Sequence, residues 1–271
     1  MLEAFEYAFM QRALIAGLIV AVVCSYFGVF VVQRRMGFLG NGLAHSAFGG
    51  VALAILLQQR LPALDPLWIA APFTVAVALA IQWVQQRSRL ASDTAIGILF
   101  SLAMALGIIF LSKTTRYSAD AMAYLFGSIL TVSPRDVINA IILALLTIAV
   151  IPLWGRWAYA SMDAELARAD AVPVARDNYI LTAVLAVAIV IAMKIVGIVL
   201  IAAFMVIPAA TARLLTNRFG SMTIASVLFG AGSVLLGLPL SVQLDMPSGA
   251  FIIVLQSAVF FSAMILQKRH S

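Results

Sequence analysis

Charge is scarce in this chain. Only 10 % of its 271 residues are charged, against roughly 25 % in a soluble domain. Apolar residues make up 64 % and the mean hydropathy is +1.09. Such a chain cannot cover a water-facing surface, so the composition predicts a polytopic membrane protein. Cysteine is scarcer still: Cys24 stands alone, which excludes an internal disulfide and reads as a small core or lipid-facing residue. The two histidines, His45 and His270, lie too far apart for a catalytic zinc site of the usual kind, and no H-E-x-x-H occurs. None of the three lysines follows a glycine, so no Walker loop binds nucleotide. No serine sits in a G-x-S-x-G elbow, and an intramembrane enzyme is not expected. No basic stripe with interleaved aromatics is present, so the net charge of +6 bears on orientation and not on nucleic acid.

What remains is a series of apolar runs. Spans are expected at 10–32, 36–57, 66–85, 94–112, 136–154, 178–193, 195–212, 221–241 and 248–266. Each is near the roughly 20 residues that cross hydrocarbon. The first run ends on Gln33-Arg34-Arg35 without a small-residue cleavage site, so it is read as a retained span. The stretch 178–212, interrupted by Lys194, could be two spans or one broken helix, giving eight or nine in all. Charge decides for two. With nine spans and the N-terminus outside, one set of loops holds eleven basic residues: Arg34, Arg35, Arg87, Arg89, Arg156, Arg168, Arg176, Arg213, Arg218, Lys268 and Arg269. The other holds six: Arg12, Arg60, Lys113, Arg116, Arg135 and Lys194. The richer set is expected in the cytoplasm, together with the C-terminus. Lys194 is expected to snorkel to the outer interface, and Asp93 with Thr94 to cap the fourth span.

Two loops are long. Residues 113–135 face outside on this reading, and hold Asp120 and an amphipathic run from Met122 to Ser128 that could lie in the interface. Asp120 and Asp245 are candidates for an outer vestibule. Residues 155–177 face the cytoplasm. There Ser161 or Asp163 can cap a short helix, Asp163 and Glu165 suit its first turn, and Pro173 ends it. A slim, capped helix between two spans suits a grip by another protein.

The second apolar run carries the strongest candidate site. Asn41 and His45 are four residues apart, about one helical turn, so both side chains share a face. A polar residue inside a span faces protein or a water-filled path. Imidazole suits zinc and its neighbours; an amide oxygen suits harder ions. One chain offers two ligands, and a symmetric dimer would offer four. All four would be neutral, which suits the transient residence of an ion in transit. The bland reading is an interhelical hydrogen bond, with Gly37, Gly40, Gly42, Gly49 and Gly50 serving close helix packing.

These residues together resemble the membrane permeases of zinc- and manganese-type ABC importers. The run from Gln33 through His45 is similar to the family's RRM…GD.L.H signature. Asp93-Thr94-Ala95-Ile96-Gly97 resembles its DT.IG stretch, and Tyr124-Leu125-Phe126-Gly127 its YLFG element. Asp163 to Arg168 is similar to the coupling helix, and Lys194 to Gly197 with Ile207 to Arg213 to the K.VG…IPAATAR segment. The resemblance implies an all-α permease over residues 1–271 in a bacterial cytoplasmic membrane. It implies a homodimer served by two cytoplasmic ATP-binding ABC subunits and an extracytoplasmic metal-binding protein. It places the transported zinc or manganese on His45 and Asn41, with an amide where the family has an aspartate. It places ATPase coupling on Asp163, Glu165, Leu166, Ala167, Arg168 and Ala171. Ala171 stands where a glycine is common; as a better helix former, alanine is expected to change little there. The rival readings are a self-contained metal channel or ion-coupled secondary transporter, which the lack of midplane acids disfavours, and a membrane scaffold without transport.

Overall fold

The computed structural model describes residues 8–88, 90–114 and 132–267. Asp120, the run from Met122 to Ser128, and His270 lie outside them. The described residues form helices joined by turns: α1 Ala8–Gln33, α2 Leu39–Gln58, α3 Leu67–Arg87, α4 Ser92–Ser112 and α5 Pro134–Val150. A single 3-10 turn, Ile151–Leu153, leads into α6 Trp154–Met162 and α7 Ala164–Ala169. The chain continues through α8 Val174–Val196, α9 Ile198–Leu215, α10 Phe219–Gln243 and α11 Ser248–Gln267. Among the described residues, nine helical stretches are long and apolar enough to cross a membrane, with α5 and α6 counted as one.

Lys194 and the residues around it settle the ambiguous stretch as two spans. Between α8 and α9 stands Gly197 alone, with φ 82° and ψ 163°. A side chain is strained in that conformation, so glycine lets the chain reverse within one residue. The packing fixes the direction. Asn178, early in α8, meets Arg34 at the end of α1, while Arg213, late in α9, donates to the Val32 carbonyl at 3.3 Å. The two helices therefore run opposite ways along α1.

α1 is the axis of the bundle. Its stretch from Val20 to Val31 is almost wholly buried against α5, α8, α9 and α10. α2 is more deeply enclosed than any other span, with 78 % of its central window inside, packed on α3, α4 and α9. By contrast α5 and α11 bury few residues, among them Ala140 and Leu143 in α5 and Ile252 and Gln256 in α11. Their open faces carry Ile141, Leu145, Val254 and Ile265, as lipid contact requires. Within the bundle, Gln82 of α3 accepts from Thr182 of α8, and Gln256 of α11 donates to Ser233 of α10 at 2.8 Å. Such bonds tie helices together where hydrophobicity supplies no drive between them.

Two expectations are corrected. Lys194, expected to snorkel to the outer interface, places its ammonium 3.1 Å from Asp136 of α5. Asp136 also closes a capping box with Ser133, and Pro134 fills the first helical position, so this span begins two residues earlier than expected. Asp93 and Thr94 are not the cap of α4. Ala91 holds that position without a side-chain bond, and Asp93 lies in the first turn, near the helix's positive end.

Candidate functional site

The loop from Arg34 to Phe38 delivers α2 from the end of α1. It is closed at both ends by backbone bonds, Met36 N to Val31 O at 2.9 Å and Gly42 N to Phe38 O at 2.8 Å. Arg35 takes the left-handed region, φ 57°. His45 is the seventh residue of α2, about 9 Å along its axis.

This enclosed helix is partly open at a few positions. Asn41, His45, Leu53, Leu56, Leu57 and Gln58 are half-buried, while the residues between are covered. Asn41 and His45 lie one turn apart on the same side of the first half of α2; Leu53, Leu56, Leu57 and Gln58 belong to its far end, beyond the buried Gly49. The expected pair thus lies on a part of α2 that its own chain does not fully bury.

The His45 ring is held on two sides. Its Nδ1 lies 2.9 Å from the Asn41 carbonyl oxygen. A carbonyl only accepts, so Nδ1 carries the proton and donates. With the proton on Nδ1, the lone pair of the uncharged tautomer is on Nε2, which has no hydrogen-bond partner among the described residues. Phe100 of α4 meets the imidazole edge to face, centroids 5.5 Å apart and planes at 78°, and Phe38 meets Phe100 edge to face in turn. Gly42 makes this approach possible: a β-carbon there would come within 2.5 Å of Ile96 Cγ2 and push α4 away. Gly40, Gly42, Gly49 and Gly50 therefore serve close packing, whereas Gly37, in the loop, has nothing within 4 Å, and α2 is unbroken. The Asn41 side-chain amide is half-buried and unpaired among the described residues. A nitrogen lone pair and an amide oxygen on one open face can ligate a cation weakly. No group of three or more His, Cys, Asp or Glu side chains stands ready for a metal among the described residues.

The other predicted residues lie elsewhere. Asp163 caps α7, its Oδ1 accepting from Glu165 N at 3.0 Å and Leu166 N at 2.9 Å. Ser161, the alternative cap, is bonded to Arg34 instead. Leu166 is 52 % exposed while Ala167 is fully buried against Ala160 and Val174. Arg168 faces Gln82, Gln85 and Gln86 of α3 across a polar cleft. Ala171 is outside the helix. Its φ is 58°, and Val172 N bonds back to Ala167 O at 2.9 Å, closing a Schellman turn whose left-handed position favours glycine. The expectation that alanine is harmless there rested on a helix that has already ended. Asp245 is exposed in the turn between α10 and α11, at φ 51°, at the opposite end of the bundle from α7.

Sequence reasoning missed a buried network beside α7. Asp177 of α8 is fully buried and paired with Arg156 of α6 at 2.8 Å. Arg34 donates through Nε to Ser161 Oγ at 2.8 Å and through Nη1 to Asn178 Oδ1 at 2.7 Å. Burial pushes the Arg34 guanidinium down to about 10, and the Asp177 charge opposes that shift; it stays charged at neutral pH. The signal available was an arginine directly after a span and an aspartate directly before one.

Residues 6–267 match the ABC 3 transport family. The manganese transport system membrane protein MntC of Listeria monocytogenes is 36 % identical over 262 residues, covering 96 % of this chain and 91 % of that protein. The high-affinity zinc uptake system membrane protein ZnuB of Haemophilus influenzae is 30 % identical over 268 residues, covering 98 % and 99 %. Among solved structures, PsaBC from Streptococcus pneumoniae in complex with Fab superposes with a TM-score of 0.81 at 32 % identity, covering 95 % of this chain and 91 % of that one.

Proposed function

Because this chain belongs to the ABC 3 transport family, we propose that it is the permease subunit of an ATP-driven importer of a divalent transition metal, zinc or manganese. Relatives named for manganese transport and for zinc uptake support that cargo class. The observation that carries the site is His45: the most enclosed span presents a half-buried imidazole whose Nδ1 is held by the Asn41 carbonyl, leaving Nε2 free. Residues 1–271 act as one transmembrane domain in a bacterial cytoplasmic membrane, the N-terminus outside and the C-terminus in the cytoplasm. Two copies bring their α2 faces together, so that two His45 and two Asn41 side chains can surround a passing ion.

His45 is the main ligand and Asn41 supplies a secondary oxygen. Neutral ligands hold the ion loosely, as a transit site requires. ATP hydrolysis belongs to separate cytoplasmic subunits. They grip α7, where Asp163 and Glu165 stabilise the helix start, Leu166 and Arg168 face outward, Ala167 anchors the helix and Ala171 turns the chain back. An extracytoplasmic metal-binding protein delivers the ion to the other end, where Asp245 and Asp120 are vestibule candidates.

The test uses the chain assembled with its ATPase and binding protein in proteoliposomes. His45→Ala should abolish ATP-dependent zinc or manganese uptake without lowering the amount of assembled complex. Uptake at the wild-type rate would remove His45 from the path.

A further inference from the structure

Resting on that reading, we propose that Arg34 is the joint that carries movement of the α6–α7 segment into the helix bearing Asn41 and His45. Ser161 sits near the end of α6, two residues before Asp163, the cap of α7. Its hydroxyl donates to the Trp157 carbonyl at 2.5 Å and accepts from Arg34 Nε at 2.8 Å. The same guanidinium donates to Asn178 of α8. One side chain therefore ties the segment that leads into α7 to the ends of two spans.

On its other side, Arg34 opens the five-residue loop into α2. That loop is short and bonded at both ends, so displacement of Arg34 is passed to Leu39 and the helix start and not absorbed. α7 itself has room to move: a polar cleft separates Arg168 from Gln85 and Gln86. α6 is also packed on α1 through Trp157 against Phe30, centroids 5.8 Å apart, and paired to α8 through Arg156 and Asp177. Those contacts hold α6 to the bundle. Arg34 is the one of them that lies on the loop between α1 and α2. It is a positioning residue, touching no metal.

Arginine's planar fork holds two partners in fixed directions at once, which lysine's compact, freely rotating ammonium does not. The experiment compares wild type, Arg34→Lys, Ser161→Ala and the double variant, each in the complete transporter in proteoliposomes. The readout is ATP hydrolysed per metal ion taken up. Arg34→Lys should lower uptake by about fivefold or more while hydrolysis stays within about twofold, and Ser161→Ala should shift the ratio the same way but less. The double variant should be no worse than Arg34→Lys, because both act through one bond. A merely structural role would lower hydrolysis, uptake and assembled complex in parallel, and that result overturns the joint. So does an unchanged ratio in both single variants with the wild type active. A wild-type complex without ATP-dependent uptake overturns the proposed function and the joint with it.

Discussion

At His45 one ring nitrogen is tied to its own helix and the other is free, and the neighbouring Asn41 amide has no described partner. At Arg34 two nitrogens of one guanidinium are bonded to two different helices, and a fully buried aspartate lies close enough to shift it. Both regions put polar groups into an apolar bundle, where an unsatisfied group costs about 1–3 kcal/mol. The network at Arg34 offsets part of that cost with partners and gains rigidity, while Arg34 Nη2 and Asp177 Oδ2 stay buried without a hydrogen bond. At the start of α2, Asn41 and His45 instead keep polar atoms open without described partners, as the proposed ligand set requires. A transporter needs both: one place that stays free to bind, and one that stays fixed enough to transmit force.

The difference makes opposite predictions for stability and activity. Asp177→Ala leaves Arg156 without its carboxylate beside a second arginine. It should destabilise the protein by about 3 kcal/mol, read as a lower Tm of the purified protein in detergent. His45→Ala, proposed to abolish uptake, should lower stability by only about 1 kcal/mol, because beyond its own turn the ring makes a single edge contact, with Phe100. A Tm for Asp177→Ala equal to wild type would break the contrast. Gly42→Ala is the next largest effect. The added methyl overlaps Ile96 and should cost about 2 kcal/mol, offset by about 1 kcal/mol of alanine's helix preference. By moving α4 it should also shift Phe100 from His45 and lower uptake, so that packing and site fall together. Ala171→Gly is the smallest change. Relief of the left-handed alanine should raise stability by about 0.5–1 kcal/mol, measured as a small increase in Tm with transport retained.

The spans were legible because long apolar runs leave few alternatives, and the count around Lys194 followed from the balance of basic residues. The i, i+4 relation of Asn41 and His45 was equally plain. Other features were hidden for physical reasons. Arg34 meets Ser161 and Asn178 across 127 and 144 residues of sequence, and nothing local announces such a pairing. Lys194 reads as an interfacial lysine until α5 brings Asp136 to it. Ala171 reads as helical until the backbone turns left-handed just past the helix end, a conformation that an alanine does not advertise. The His45 tautomer needs the carbonyl of Asn41, not its side chain, and only coordinates supply that bond.

The central claim is that His45 offers a free Nε2 to the transported ion. Histidine-selective 15N NMR tests it directly, since His45 and His270 are the only imidazoles and His270→Gln leaves one signal set. The account predicts a neutral His45 with the proton on Nδ1, and a large shift confined to Nε2 when zinc is added to the assembled permease. A proton on Nε2, or a ring whose two nitrogens ignore zinc in a complex that transports it, would contradict the account.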